Sequence, residues 1–260
     1  MNFNPFKKAS KPVKQVQRRQ FAGAKLDRLT SSWTTTQQSI NADLRNGGKV
    51  LRARARDLTI NNDYARKYMQ MCVSNVVGSN GIGLQVKSKT AKGKLNTKAN
   101  RQVEQGWKAW SHARNCAWDS RLSFVEMQRL FIETAARDGE VLVRMIRDQS
   151  KYGFKLQFLD TNRLNEQLNK DLGNGACIKM GIEFDDTGKP VAYHISKQLD
   201  LEYIQHYQLE TERVPAENMI HAFIGERPEQ IRGSTWMASA MSRLQMLGAY
   251  EEAELVAARV

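Results

Sequence analysis

The sequence predicts an α+β fold with a helix-rich N-terminal half, a region that contains a β-hairpin, and a C-terminal helix. Helical periodicity dominates as far as residue 138, and short runs of β-branched residues bounded by turn residues follow it. Helices precede strands instead of alternating with them, which favours α+β over a doubly wound sheet. The 260 residues, 41% of them apolar, can form a substantial core.

Charge divides the chain into a basic front and an acidic back. The net charge is +13, yet residues 151–260 carry 16 Asp or Glu against 12 Lys or Arg. Residues 1–48 are predicted to form a basic, largely disordered arm and connector, and residues 49–260 an α+β domain. The basic front indicates a polyanion such as nucleic acid, although a solvated basic tail is the alternative. The candidate contact residues are Lys7, Lys8, Lys11, Lys14, Arg18, Arg19, Arg52, Arg54 and Arg56.

Three helices are predicted before residue 115. The first begins at Lys49, after Gly47-Gly48, and its arginines at every second position indicate an exposed element. Asn62 caps the second helix, and a glycine-rich turn from Gly78 leads into a short strand. The apolar stripe of the second helix is Tyr64, Tyr68, Met71, Cys72 and Val76. The third helix covers about 97–113 and places Val103, Trp107 and Trp110 on one face.

A capping box of Ser123 and Glu126 opens the next helix, which Asp138-Gly139 ends. Strands are then predicted in EVLVRMIR, FKLQFLD and AENMIHAFI, with a hairpin of IKMGIEF and VAYHISK about the turn DDTGKP. Gly233-Ser234 opens a last helix, whose face carries Met237, Met241, Leu244 and Leu247. This helix runs to the last residue without a stop signal, so we expect a truncated chain whose final helix is incomplete and exposes apolar surface.

No motif predicts a catalytic, metal or cofactor site. Gly78, Gly81 and Gly83 follow a helix and match no phosphate-binding fingerprint, so they are interpreted as turn residues. His112 and Cys116 stand four apart but have no second ligand pair. Trp107, Trp110 and Trp118 could stack on bases, yet helical spacing favours a core role for the first two.

The alternative of a metal-dependent DNA-processing enzyme depends on Asp160, Asp185 and Asp186. Asp185 and Asp186 lie in the predicted hairpin turn, where aspartate commonly bonds to the backbone. A plain nucleic-acid-binding module that uses the basic front is the other alternative. Membrane insertion is not expected, because no uncharged apolar stretch approaches about 18 residues.

Several stretches together resemble the lambda-type portal proteins of tailed bacteriophages. They include ARDLTINNDYARKYMQMCVSNVVGSNGIGLQ (55–85), LSFVEMQRLFIETAARDGEVLVRM (122–145), LQFLDTNRLN (156–165), GIEFDDTGKPVAYHIS (181–196), RVPAENMIHAF (213–223) and RPEQIRGSTWMASAMSRLQMLGAYEEAELVAARV (227–260). The DGE at 138–140, the hairpin and the RG-S-W entry to the last helix are the most diagnostic.

This resemblance implies a structural subunit that is not an enzyme and needs no cofactor. It implies a dodecameric ring at one capsid vertex, through which double-stranded DNA is packaged and ejected. The implied partners are terminase, scaffold, the major capsid protein and head-completion proteins, with no membrane. The implied locations are the virion and, during assembly, the host cytoplasm. The chain resembles the wing portion, and the stem, clip and crown of the family are expected to be missing.

Overall fold

The computed structural model describes residues 24–25, 27–197 and 210–259. Residues 1–38 and 39–260 form two separate compact units. In the first unit, the Asp27 side chain closes a turn by accepting the N–H groups of Leu29 at 2.9 Å and Thr30 at 3.2 Å. The predicted arm at residues 1–23 lies outside the described residues.

The second unit contains helices and two antiparallel sheets, so the α+β prediction is confirmed. The helices are α1 (Ile40–Asn61), α2 (Asp63–Val76), α3 (Thr97–Trp110), α4 (Ala113–Cys116), α5 (Phe124–Asp138) and α6 (Met241–Arg259). The strands are β1 (Glu140–Ile146), β2 (Lys155–Leu159), β3 (Lys170–Gly173), β4 (Ala176–Lys179), β5 (Ile182–Phe184), β6 (Pro190–Ser196), β7 (Thr211–Pro215) and β8 (Met219–Phe223). Within the described residues, one sheet has the order β2-β1-β8 and the other β3-β4-β5-β6-β7.

The first helix begins nine residues before the predicted start at Lys49. Ser39 caps α1, because its hydroxyl accepts the N–H of Ala42 at 3.2 Å. Gly47-Gly48, interpreted as the end of the connector, lies inside the helix, where each glycine costs about 1 kcal/mol relative to alanine. Packing on both sides of the pair, through Leu44 and Ala55, offsets that cost.

The stripe predicted to bury α2 is largely exposed. Tyr64, Tyr68, Met71 and Val76 are between 37% and 51% exposed, whereas Ala65 is fully buried and Met69 nearly so. The small side chain of Ala65 lets α2 approach closely to its neighbours, where Ala55 of α1 and Ala136 of α5 are also fully buried. Close helix packing therefore selects the face with the smaller residue, which a count of large apolar residues does not detect.

The short strand predicted after the glycine-rich turn is absent from the described residues, which contain only an isolated bridge between Lys89 and Leu95. Side chains of α3 replace a strand partner here. The Val86 N–H donates to Glu104 at 2.9 Å, and the Ser88 N–H donates to Asn100 at 3.1 Å. The glycines before it act as turn residues, since φ is +72° at Gly78 and +74° at Gly81.

The helices α3 and α5 pack on the smaller sheet through an aromatic cluster. Trp107 and Trp110 lie against Phe124, and the ring of Trp110 stacks on Phe154 at 5.5 Å. Trp110 also donates from Nε1 to the Phe154 carbonyl at 3.1 Å. The core role predicted for these two tryptophans is therefore confirmed.

The capping box and the hairpin agree with the sequence analysis. Ser123 and Glu126 bond reciprocally at the start of α5, which ends at Gly139 with φ +91°. In the turn between β5 and β6, the Asp185 carboxylate accepts the N–H groups of Thr187 at 3.0 Å and Lys189 at 2.9 Å. The core between the two sheets contains Leu142, Leu159, Leu164, Ile182, Tyr193, Ile195, Val214 and Met219.

The last helix begins at Met241, later than the predicted start at Gly233-Ser234. The segment before it covers the end of α5 instead. The Trp236 N–H donates to the Ala136 carbonyl at 3.0 Å, and the Thr235 hydroxyl donates to the same oxygen at 3.2 Å. A helix leaves its last four carbonyls without intrahelical partners, so these bonds favour an irregular segment here.

Candidate functional site

A buried carboxylate, Glu140, occupies the first position of β1 and joins four parts of the chain. Its oxygens accept from Arg232 Nε at 2.8 Å, His221 Nε2 at 3.0 Å and the Gly233 N–H at 3.1 Å. A second Arg232 nitrogen, Nη2, also donates to it, and Arg52 Nη2 lies at 3.4 Å. The carboxylate therefore ties β1 to α1, β8 and the segment before α6.

A second carboxylate, Glu166, balances the two arginines. It accepts from Arg52 Nη1 at 2.7 Å and from Arg232 Nη2 at 3.0 Å. The side chains of Arg52 and Arg232 are only 5% and 3% exposed. Two guanidinium groups thus face two carboxylates, which is the pairing that buried charges require.

A similar cluster surrounds Asp138 at the end of α5. Arg56 donates to Asp138 at 2.6 and 3.0 Å and to Asp160 at 3.0 Å, while Arg137 Nε donates to Asp138 at 2.9 Å. The Asp138 side chain is 1% exposed. Together the two clusters place four arginines against four carboxylates around the junction of α1, α5 and β1. We call this set the charge network: Arg52, Arg56, Arg137, Asp138, Glu140, Asp160, Glu166 and Arg232.

Burial and pairing act in opposite directions on these carboxylates. Burial of Glu140 favours its neutral form, but the charge and hydrogen bonds of Arg232, helped by His221, hold its pKa well below the usual value. Burial likewise opposes ionisation of Asp138, and the hydrogen bonds from Arg56 and Arg137 lower its pKa. Both carboxylates are therefore ionised at neutral pH.

The geometry of the network supports a structural role. Every donor that reaches Glu140 belongs to the protein, and none of the network residues is a nucleophile beside a free base. A carboxylate whose pKa lies well below its usual value is a poor general base at neutral pH. What the arrangement can do is fix the relative positions of helices and strands that are distant in sequence.

The structure corrects the exposure expected for two of the candidate nucleic-acid contacts. Arg52 is buried and Arg56 is half-buried, because α1 turns both toward the carboxylates of the network, and they are not available to an external polyanion. Arg54 lies on the opposite side of α1 and is exposed, so it stays a candidate. The candidates Lys7, Lys8, Lys11, Lys14, Arg18 and Arg19 lie outside the described residues.

The carboxylates of the alternative nuclease have other roles. Asp160 pairs with Arg56 and accepts the Asn162 N–H at 2.8 Å, whereas Asp185 holds the turn between β5 and β6. Residues 24–25, 27–197 and 210–259 contain no group of three or more His, Cys, Asp or Glu residues that could hold a metal. The hydrogen bonds of Asp160 and Asp185 therefore support a structural interpretation of these carboxylates.

The remaining candidates occupy structural positions or lie at the surface. Cys116 is fully buried, and His112 precedes α4 at its N-cap position. Trp118 is 51% exposed, so it is the one of the three predicted tryptophans that could contact a partner. No helix among the described residues has both the length and the apolar character needed to cross a membrane.

The last helix exposes a large apolar surface, which agrees with the sequence analysis. Its contact with the body follows one edge, Met241, Leu244, Gly248 and Glu251, and every residue from 252 to 259 is exposed. The exposed large apolar residues of α6 are Met246, Leu247, Tyr250, Leu255 and Val256. They occur on more than one side of the helix, whereas the sequence analysis placed the apolar residues on a single stripe.

Sequence reasoning did not single out the charge network, although two of its parts lie in the most diagnostic segments of the resemblance. Asp138 and Glu140 belong to the DGE segment, and Arg232 and Gly233 begin the RG-S-W segment. The structure brings the two segments into contact, since Arg232 and Gly233 both donate to Glu140. Arg52, His221 and Glu166 carry no such signal.

Comparison with known proteins places the fold in a family. The lambda family of phage portal proteins matches residues 26–260. The chain is 36% identical over 244 residues to the probable portal protein of Halomonas phage phiHAP-1, covering 92% of this chain and 47% of that protein. It is 26% identical over 249 residues to portal protein B of Escherichia phage lambda, covering 88% of this chain and 45% of that protein.

A third relative, the portal protein of Escherichia phage N15, is 24% identical over 247 residues, covering 88% of this chain and 45% of that protein. The chain therefore spans about half the length of the curated relatives it matches. Since the family match runs over residues 26–260, the chain belongs to the lambda family of phage portal proteins.

Proposed function

We propose that this chain is the wing-like part of a structural portal subunit at one vertex of a tailed-phage capsid. The observation that carries the proposal is the family match over residues 26–260, with relatives that are themselves named portal proteins. The subunit forms a ring, dodecameric as the family resemblance implies, through which double-stranded DNA is packaged and ejected. Its partners are terminase, scaffold, the major capsid protein and head-completion proteins.

The proposed role is structural, not catalytic. The charge network supports this part of the proposal, because its buried side chains bond to each other and hold α1, α5 and β1 in a fixed arrangement. A ring that carries a moving duplex needs subunits with a rigid body, since a loose body would not keep the channel open. The protein assembles in the host cytoplasm and then belongs to the virion.

The proposal is tested by locating the protein in assembled heads. A small epitope is inserted at Asn174, an exposed residue of the turn between β3 and β4, and heads are imaged with a gold-conjugated antibody. We expect one labelled vertex in each head. Label spread over all vertices, or heads without label, would contradict the proposed role.

A further inference from the structure

The helices α2 and α5 form the walls of an open groove of about 810 Å³. Met69 and Val73 of α2 lie in its apolar part, and Ile60 at the end of α1 is 74% exposed beside them. A groove with apolar side chains between two helices is a common binding site for a third, amphipathic helix.

The polar side chains of this groove are mainly cationic. Arg66, Arg129 and Arg137 line it together with one carboxylate, Glu133, which pairs with Arg137 at 3.6 Å. Arg129 donates to the carbonyl of Ser79 at 2.5 Å, a bond that leaves its charge uncompensated. Arg66 is exposed and has no ion pair among the described residues. The groove therefore favours an apolar segment that carries negative charge.

The free end of α6 has this chemistry. Its residues 252–259 are all exposed and extend about 12 Å at the helical rise of 1.5 Å per residue. Leu255 and Val256 are 61% and 56% exposed, and Glu252 and Glu254 have no ion pair among the described residues. The segment cannot enter the groove of its own copy in this structure, because Met241, Leu244 and Glu251 hold α6 along α1 and α2.

We propose that the last two turns of α6 dock in the groove between α2 and α5 of a second copy of the chain. The apolar contacts pair Leu255 and Val256 with Met69, Val73 and Ile60. The charge contacts pair Glu252 and Glu254 with Arg66 and Arg129. The donor and acceptor surfaces differ, so the contact is head-to-tail, which is the class of interface that closes into rings. This inference rests on the proposed function and names the surface that joins neighbouring subunits.

The test uses the complete 260-residue chain and sedimentation velocity over a range of concentrations. Arg66→Glu removes the groove's free cation, and the double variant Glu252→Arg with Glu254→Arg inverts the helix end. Either change should weaken self-association about tenfold or more, as expected for opposed charges at an interface. Lys67→Glu is the matched control, because Lys67 is an exposed neighbour on α2 that does not line the groove. Circular dichroism checks that each variant keeps its helix content.

A mixing experiment distinguishes the head-to-tail arrangement from any symmetric one. Each variant alone should remain monomeric, and an equal mixture of the two should form dimers and nothing larger. In that dimer, the intact helix end of the Arg66→Glu copy occupies the intact groove of the other copy. A chain carrying all three substitutions should associate again.

Three results would overturn the docking proposal. They are self-association that neither variant changes, a wild-type chain that stays monomeric throughout, or an Arg66→Glu variant that loses affinity for duplex DNA instead of for itself. None of these results contradicts the proposed portal role by itself, because gold labelling of assembled heads tests that role independently. Heads labelled at one vertex, together with an unchanged Arg66→Glu variant, would place the subunit contact elsewhere.

Discussion

Arg232 Nε donates to Glu140 Oε2 at 2.8 Å across 92 positions of the sequence, and both side chains are buried. The pair joins the start of β1 to the segment that precedes α6. Because Arg52, Gly233 and His221 also donate to Glu140, loss of the carboxylate would leave two arginines without their shared partner. This contact is the centre of the charge network and the basis of the first prediction.

Glu140→Gln should lower the free energy of unfolding by about 3–5 kcal/mol, because it leaves buried guanidinium charge uncompensated. Chemical denaturation followed by circular dichroism measures the change. Glu212→Gln is the control, since Glu212 pairs with Arg144 while 41% exposed and a surface pair contributes at most about 1 kcal/mol. Equal effects of the two substitutions would contradict a special role of the buried pair.

Gly139→Ala should also be strongly destabilising, by about 2 kcal/mol or more. The residue has φ +91°, and a Cβ there would collide with the backbone of Ser234 and Thr235. Gly47→Ala is the matched control, because Gly47 is helical with open space around its Cβ position and should gain about 1 kcal/mol. Thermal unfolding of the two variants should therefore shift in opposite directions.

Stability should fall in acid, and the network carboxylates should cause part of this loss. The pKa values of Glu140 and Asp138 are lowered in the folded protein, so their contribution is complete above the unfolded pKa values of about 4.3 and 3.9. It is then lost as pH falls through the folded values. Denaturation midpoints measured from pH 7 to pH 3 should decrease most steeply below about pH 5. The same curve for Glu140→Gln should be flatter, and an equally steep curve would assign the acid sensitivity to other groups.

Deletion of residues 1–38 should remove most of the sequence-independent binding to duplex DNA. This segment carries eight Lys or Arg and one Asp, and such charge gives affinity that falls steeply with salt. The fold of residues 39–260 should persist, because α1 begins after its Ser39 cap. Filter binding at several salt concentrations measures the affinity. An unchanged salt slope would place the DNA contacts in the body, where Arg54→Ala is the first variant to examine.

The position of this deletion shows how the structure refines the domain limits read from the sequence. The sequence analysis ended the arm at Gly47-Gly48, because glycines usually interrupt helices. The structure continues α1 back to Ile40, and Leu44 is 7% exposed. Deletion of residues 1–48 would therefore remove part of the core, so it is not a clean test of the arm.

Local signals in the sequence predicted the elements whose cause is local. The Ser123–Glu126 capping box, the Asp138-Gly139 helix end and the Asp185 turn are set by residues within four positions of each other. The hairpin of β5 and β6 follows from that turn. These features were therefore correctly predicted from the sequence.

Features with distant causes were missed or misassigned. Arg52 is spaced like a solvent-exposed residue, and its burial depends on Glu166, which lies 114 positions away. The irregular segment at 233–240 results from bonds to Ala136, almost one hundred positions earlier. Periodicity reports which side of a helix is apolar, but it cannot report which distant carboxylate or carbonyl meets that side.

Electron microscopy of the purified, complete product of the gene that encodes this chain tests the portal role most directly. We expect closed rings with one defined subunit number and a central channel wide enough for duplex DNA. The same preparation, mixed with plasmid and Mg²⁺ or Mn²⁺, should leave the DNA intact. Monomers that cleave the plasmid, with activity lost on Asp160→Ala or Asp185→Ala, would contradict the portal assignment.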